Sequence, residues 1–112
     1  MDDRYSEQVR RLGEAVLDGP GDSAPVLRRA VAEWAASLGG RATATAPEVP
    51  PALLGYVETV ARHAYKTTDE HVAALKQAGY SEDAIFEITL SAALGAGMAR
   101  LERGLAALRG GR

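Results

Sequence analysis

The sequence predicts an all-α protein of about five helices, and three observations lead to that prediction. Alanine and leucine abound in the 112 residues while aromatic residues make up only 5%, which favours closely packed helices over a β-sandwich. Apolar residues recur every three or four positions along most of the chain. Glycines and prolines separate the periodic segments. At 46% hydrophobic and 25% charged, the chain is expected to form one globular domain over residues 1–112.

Residues 1–40 are predicted to form a pair of helices. The first covers residues 4–17, where apolar side chains alternate with charged ones at helical spacing, and it stops at residues 19–21, Gly-Pro-Gly. Ser23 is expected to cap the second helix, with Pro25 in the first turn, where a missing amide hydrogen does no harm.

Residues 41–50 are predicted to be a linker, because they are rich in alanine, threonine and proline and show no periodicity. The core helices follow in residues 51–112. A third helix is expected from Pro51 to about residue 65. Thr67 followed by Glu70 has the form of a capping box, which predicts the start of a short fourth helix.

Gly79 is expected to end the fourth helix, and Ser81 to cap a fifth that runs to about Leu108. This last helix is apolar on two sides, which predicts a central place in the fold or a contact between subunits. Gly95 and Gly97 are unfavourable inside a helix, so we expect a neighbouring backbone to pass close to them.

Charge and composition exclude several functional classes. A net charge of -2 gives no broad positive field, so nucleic acid is not an expected partner. Without any cysteine the chain has no disulfide, thiol nucleophile or thiolate metal site. Nothing in the sequence resembles a signal peptide or a membrane-spanning run, so a soluble cytoplasmic protein with no membrane partner is expected.

The candidate chemical groups are few. His63 and His71 fall on either side of a predicted helix break in a spacing that matches no familiar ligand pattern, so neither a metal nor another cofactor is expected. His71 is the leading candidate for acid/base chemistry, and an ordinary surface histidine is the alternative. Glu58 and Glu87 are the carboxylates most suited to face a pocket, with solvation at the surface as their alternative.

Residues 48–108 resemble the AhpD-like alkylhydroperoxidase and carboxymuconolactone decarboxylase superfamily. In the peroxidases a helix begins at Cys-x-x-Cys-x-x-x-His, fifteen residues before a helix-ending glycine. Counting back from Gly79 places Ala64 and Thr67 at the cysteine positions and His71 at the histidine. The family glutamate falls on Ala52, so His71 alone is kept.

The resemblance implies an AhpD-like helical domain that assembles with itself, as a trimer or hexamer. It also implies that the chain is not a thiol peroxidase, because Ala64 and Thr67 cannot form a thiolate or a disulfide. The decarboxylase branch works without the cysteine pair and keeps the histidine. His71 would then be the acid/base on a small organic molecule, with Tyr65, Tyr56 and Glu58 as substrate-binding candidates. The alternative is a non-catalytic oligomeric scaffold that binds a ligand or a protein partner.

Overall fold

The computed structural model describes residues 3–39 and 48–110, without the side chains of residues 3–6 and 65. Within those ranges it contains five α-helices and no strand, which confirms the all-α prediction. The helices are α1 (Asp3–Asp18), α2 (Pro25–Leu38), α3 (Pro51–His63), α4 (Asp69–Gln77) and α5 (Glu82–Leu108), and a single 3-10 turn (Ala64–Lys66) joins α3 to α4.

The long helix α5 lies at the centre, packed mainly against α2 and also against α3. The surfaces of α2 and α5 that meet are rich in alanine, with Ala32, Ala35 and Ala36 buried on α2 and Ala92, Ala96 and Ala99 on α5. Larger side chains complete the core from α3 and α4, namely Leu53, Val57, Val60 and Leu75. Small side chains on both surfaces allow the two helix axes to come close together.

Part of the predicted linker belongs to this core. Residues 41–47 lie outside the described residues, but residues 48–50 are described and Val49 is buried among core side chains. The chain therefore enters α3 with an apolar anchor immediately before the two prolines at its start.

Two of the three predicted helix caps are wrong by one residue. The second helix begins after Ala24, which makes no side-chain cap, and the Ser23 hydroxyl donates instead to Glu87 Oε1 at 2.5 Å. The fourth helix is capped by Thr68 and not by Thr67, whose hydroxyl donates to the carbonyl of Ala64 at 2.5 Å. The hydroxyl of Ser23 is used by a carboxylate 64 residues away in the chain, and at α4 two adjacent threonines compete for the same position. Sequence does not say which group will come within reach.

The predicted C-terminal end of α4 and the predicted start of α5 are confirmed. Gly79 follows α4 with φ of 104°, the left-handed region that glycine adopts without strain, and the next amide bonds back to Leu75 O at 3.1 Å. Ser81 Oγ accepts the amide of Ala84 at 3.0 Å and caps α5.

Among the described residues, one side of α5 is buried and the other is exposed. Its core side includes Ile85, Ile88 and Ala92, whereas Phe86 and Leu90 on the other side are exposed. In the described part of the chain α5 is also the one helix whose length and composition would allow it to cross a membrane, a test that the core helix of a soluble protein passes as well.

Candidate functional site around His71

His71 forms part of the cap of α4. It occupies the third position of the helix, where its backbone amide donates to Thr68 Oγ1 at 3.4 Å. In return its ring Nδ1 accepts the backbone amide of Thr68 at 3.1 Å. This is the reciprocal pattern of a capping box in which histidine stands where glutamate or glutamine is usual.

The cap determines how the His71 ring can carry its proton. A nitrogen that accepts an N–H has its lone pair occupied by that bond, so Nδ1 is unprotonated and the neutral ring has its hydrogen on Nε2. The half-buried ring also lies edge-on to Tyr56 across the α3–α4 junction, with 6.4 Å between ring centroids and 66° between planes. The Thr68 amide and the Tyr56 ring therefore both restrict the orientation of the His71 ring.

Tyr56 is buried on α3, and its hydroxyl is used between helices. It lies 2.6 Å from Thr89 Oγ1 on α5, and that threonine donates its own hydrogen to the carbonyl of Ile85 at 2.7 Å. Since a threonine hydroxyl has one hydrogen, Tyr56 must be the donor of the first bond. The hydroxyl keeps its lone pairs as acceptors.

Glu58 is not brought to His71. It lies two residues from Tyr56, a rotation of about 200° around the helix, and therefore on the opposite side of α3. There its carboxylate is exposed and accepts from Arg62 at 3.0 Å, a pair between residues four apart on the helix surface. The side chain of Tyr65, the remaining substrate-binding candidate, lies outside the described residues.

Glu87 is the carboxylate with the richest surroundings. It accepts the amides of Asp22 and Ser23 at 2.9 and 2.8 Å, in addition to the Ser23 hydroxyl. Partial burial raises the pKa of Glu87, but hydrogen bonds from Ser23 and Asp22, aided by the charge of Arg28, outweigh it and leave the pKa lower than usual. Glu87 thus holds the connection between α1 and α2 in its ionised form.

Arg28, which the sequence analysis did not single out, is buried beside this network. Its guanidinium donates to the carbonyls of Val16 at 2.8 Å and Gly19 at 2.5 Å, so it satisfies the end of α1, while its Nε has no hydrogen-bond partner among the described residues. The sequence did contain an indication that Arg28 is buried. Arg28 lies three and four residues before Val31 and Ala32, on the apolar side of α2, where a charged residue is expected to be buried only with partners.

Two cavities lie elsewhere on the molecule. One of about 290 Å³ opens between α1, α2 and α5, with Val9, Leu17, Leu94 and Met98 among its apolar walls and Arg10, Arg29 and Glu33 as its charged groups. The other, of about 370 Å³, lies between the start of α2 and the start of α5 and contains Asp22, Tyr80 and Ser81. Neither cavity is lined by His71. Residues 3–39 and 48–110 also hold no group of three acidic, histidine or cysteine side chains close enough to share a metal ion.

Comparisons of the chain with protein-family models, curated proteins and solved structures find no match.

Proposed function

We propose that this chain is a cysteine-free relative of the carboxymuconolactone decarboxylase branch of the AhpD-like superfamily, which binds a small organic molecule beside His71. The observation that carries the proposal is the hydrogen bond from the Thr68 amide to His71 Nδ1, at 3.1 Å. It supports a neutral ring that offers Nε2–H to a ligand in a defined direction. A cytoplasmic location is part of the same proposal.

The cap favours one of the two roles that an acid/base histidine can take. To act as a base through Nε2, the neutral ring would have to move its hydrogen to Nδ1, and the bond from the Thr68 amide would be lost. To donate from Nε2, the ring needs no change. We therefore assign His71 the role of a neutral donor to a carbonyl or carboxylate oxygen of a lactone or a related acid.

Tyr56 would assist by position. Its ring contacts that of His71, and its hydroxyl, which donates to Thr89, retains acceptor capacity. Thiol chemistry has no part in the proposal, because the chain contains no cysteine.

A non-catalytic scaffold is the second candidate, and it too has an observation in its favour. His71 Nδ1 and the Tyr56 hydroxyl both make structural hydrogen bonds, one within the cap of α4 and one between α3 and α5. A histidine kept only for its cap would show this same geometry.

Substitution by glutamine separates the two candidates. Glutamine is a usual residue at this position of a capping box, so His71→Gln keeps an acceptor for the Thr68 amide and removes the imidazole. His71→Ala removes both. Purified wild type and both variants would be screened by thermal shift and by turnover against lactones, β-keto acids and aromatic carboxylates.

We expect wild type to respond to at least one compound, and His71→Gln to melt like wild type without ligand but to lose the response. If His71→Gln responds as wild type does, the imidazole has no role in binding or chemistry. If no protein responds while His71→Ala melts earlier than His71→Gln, the histidine serves the cap and the scaffold is the correct function.

A further inference from the structure

The exposed side of α5 carries a continuous strip of apolar and small residues. At about 100° of rotation per residue, its members fall within an arc of about 80°, on the side of the helix opposite the core. They are all exposed: Phe86, Leu90, Ala93, Gly97, Leu101 and Leu108. Phe86 is 63% and Leu108 is 85% accessible, so no part of the described subunit covers the ends of the strip.

The strip is symmetric about Gly97. Ala93 and Leu101 lie four residues to either side of it, Leu90 and the exposed Gly104 lie seven, and Phe86 and Leu108 lie eleven. An 11-residue interval completes just over three turns of a helix, which keeps all these positions on one side over the length of the strip. In the two inner pairs a small residue on one side corresponds to a large one on the other, whereas Phe86 and Leu108 at the ends are both large.

We infer that a second copy of this chain covers the strip, in an antiparallel α5–α5 pair whose two-fold axis passes at Gly97. A two-fold contact uses the same surface on both subunits, so residues equally distant from the axis meet. Ala93 would then pack against the partner's Leu101, and Leu90 against the partner's Gly104. In these central pairs a large side chain meets a small one, which allows the two helices to pack closely, and at each end Phe86 meets the partner's Leu108 in an apolar contact.

Gly97 and Gly104 support this arrangement. Glycine is unfavourable inside a helix, and at Gly97 and Gly104 no described residue outside the adjoining turns of α5 would lie within 4 Å of an added Cβ. Packing within the described part of the subunit therefore does not require glycine at either position. A second helix that crosses at Gly97 and places a leucine over Gly104 would require a residue without a side chain at both positions.

Charge supports the antiparallel direction. Glu82 and Asp83 lie in the first turn of α5, and Arg109 follows its last turn. Antiparallel pairing about Gly97 brings the partner's Arg109 within one turn of these acids and opposes the two helix dipoles. A parallel pair would place like charges together.

The inferred contact is short. The strip runs from Phe86 to Leu108, a rise of about 33 Å, and a helix is about 10 Å wide, so the contact is smaller than the roughly 800 Å² per partner of a standard interface. We therefore expect a dimer that dissociates in the micromolar range. The inference does not depend on the proposed role of His71, and this contact builds a dimer or a hexamer of three dimers but not a trimer.

Paired charges test both the contact and its register. In Ala93→Glu and in Leu101→Lys, a buried charge would have no partner, so the dissociation constant in sedimentation velocity should rise by about tenfold or more. In the double variant each glutamate meets the partner's lysine, so much of the affinity should return. Val26→Glu, at a 75% exposed position on α2, is the control and should leave the dimer unchanged.

A second measurement marks the axis directly. The chain has no cysteine, so Gly97→Cys and Val26→Cys introduce single thiols into a clean background. Under mild oxidation, Gly97→Cys should form a disulfide-linked dimer much faster than Val26→Cys, because only residues at the axis meet their own copies.

Several results would overturn the inference: a wild-type monomer at every concentration, a trimer, a double variant no better than the single ones, or equal cross-linking at both cysteines. A monomer that floats with anionic lipid vesicles would assign the strip to a membrane surface and would also overturn it.

Discussion

Gly95 on α5 lies against the backbone of Ala32 on α2 so closely that a Cβ at position 95 would be 2.1 Å from the Ala32 carbonyl oxygen. No side chain can shift to make room, because the obstacle is backbone. This contact fixes the distance between the two central helices. Gly97, two residues further along α5, has no such neighbour among residues 3–39 and 48–110, so within those residues the expectation of a close backbone is confirmed at Gly95 and wrong at Gly97.

Gly95→Ala should therefore destabilise the protein, whereas Gly97→Ala should not. The first forces α2 and α5 apart and is expected to lower the free energy of unfolding by about 2–4 kcal/mol. The second removes an unfavourable helical glycine and should raise the free energy of unfolding by up to about 1 kcal/mol. Urea denaturation at low protein concentration, where dimerisation does not contribute, measures both. Equal effects of the two substitutions would contradict the structure.

Glu87→Gln should weaken the connection between α1 and α2. The substitution replaces an ionised acceptor of three hydrogen bonds with a neutral amide, and hydrogen bonds to charged groups contribute about 1.5–3 kcal/mol. We expect a loss of stability of about that size in urea denaturation. Glu58→Gln is the matched control, because Glu58 is exposed and forms only a surface pair, and it should change stability little.

The effect of Glu87→Gln should depend on pH. Because the pKa of Glu87 is lowered in the folded protein, its contribution is fully present above the usual carboxyl value of 4.5 and is lost as the pH falls through the lowered pKa. The difference in stability between wild type and Glu87→Gln should thus be constant near neutral pH and shrink below about pH 4.5. A difference that grows as the pH falls would show the sign to be wrong.

Arg28→Met should release α1. Methionine keeps apolar volume at this buried position but leaves the carbonyls of Val16 and Gly19 without their donor, at a cost of about 1–3 kcal/mol. Hydrogen exchange should show faster exchange of the α1 amides, with α3 and α5 much less affected. The neighbouring Arg29→Met breaks only an exposed pair with Asp18 and should leave exchange near the wild-type rate. If Arg29→Met loosens α1 as much as Arg28→Met does, the buried guanidinium is not what holds it.

Adjacent threonines provide a test of the cap on α4. Thr68→Ala removes the hydroxyl that accepts the His71 amide and should destabilise the protein by about 1 kcal/mol. Thr67→Ala should have a smaller effect, because the Ala64 carbonyl that its hydroxyl contacts already accepts the amide of residue 67. Thermal unfolding of the two variants gives the comparison, and a larger effect at Thr67 would restore the cap expected from the sequence.

The sequence was most informative about elements that depend on local physics. Helical periodicity placed all five helices within a few residues of their observed ends, and Gly79 and Ser81 did what their backbone and side-chain chemistry require. The capping residues were predicted less well than the helices. Ser23, for example, lies within reach of the distant carboxylate of Glu87, which attracts its hydroxyl more strongly than the local helix end does.

The candidate site likewise combines a residue that the sequence singled out with contacts that only the packing of the helices decides. Sequence singled out His71, but the bond that makes it part of a cap depends on which of two threonines takes the first position of α4. The contact of its ring with Tyr56 depends on how α3 and α4 pack. Glu58 and Tyr56 are close in sequence and lie on opposite sides of one helix.

By itself, the sequence determined the helices and their order, together with the loss of thiol chemistry, because periodicity, glycine conformation and residue type act over a few neighbouring positions. Tertiary structure alone decided that Arg28 and Glu87 hold the α1–α2 connection by hydrogen bonds and that Gly95 contacts α2. It also decided that the described residues leave one side of α5 exposed. Those features join residues far apart in the chain, and only the packing of whole helices determines which distant groups meet.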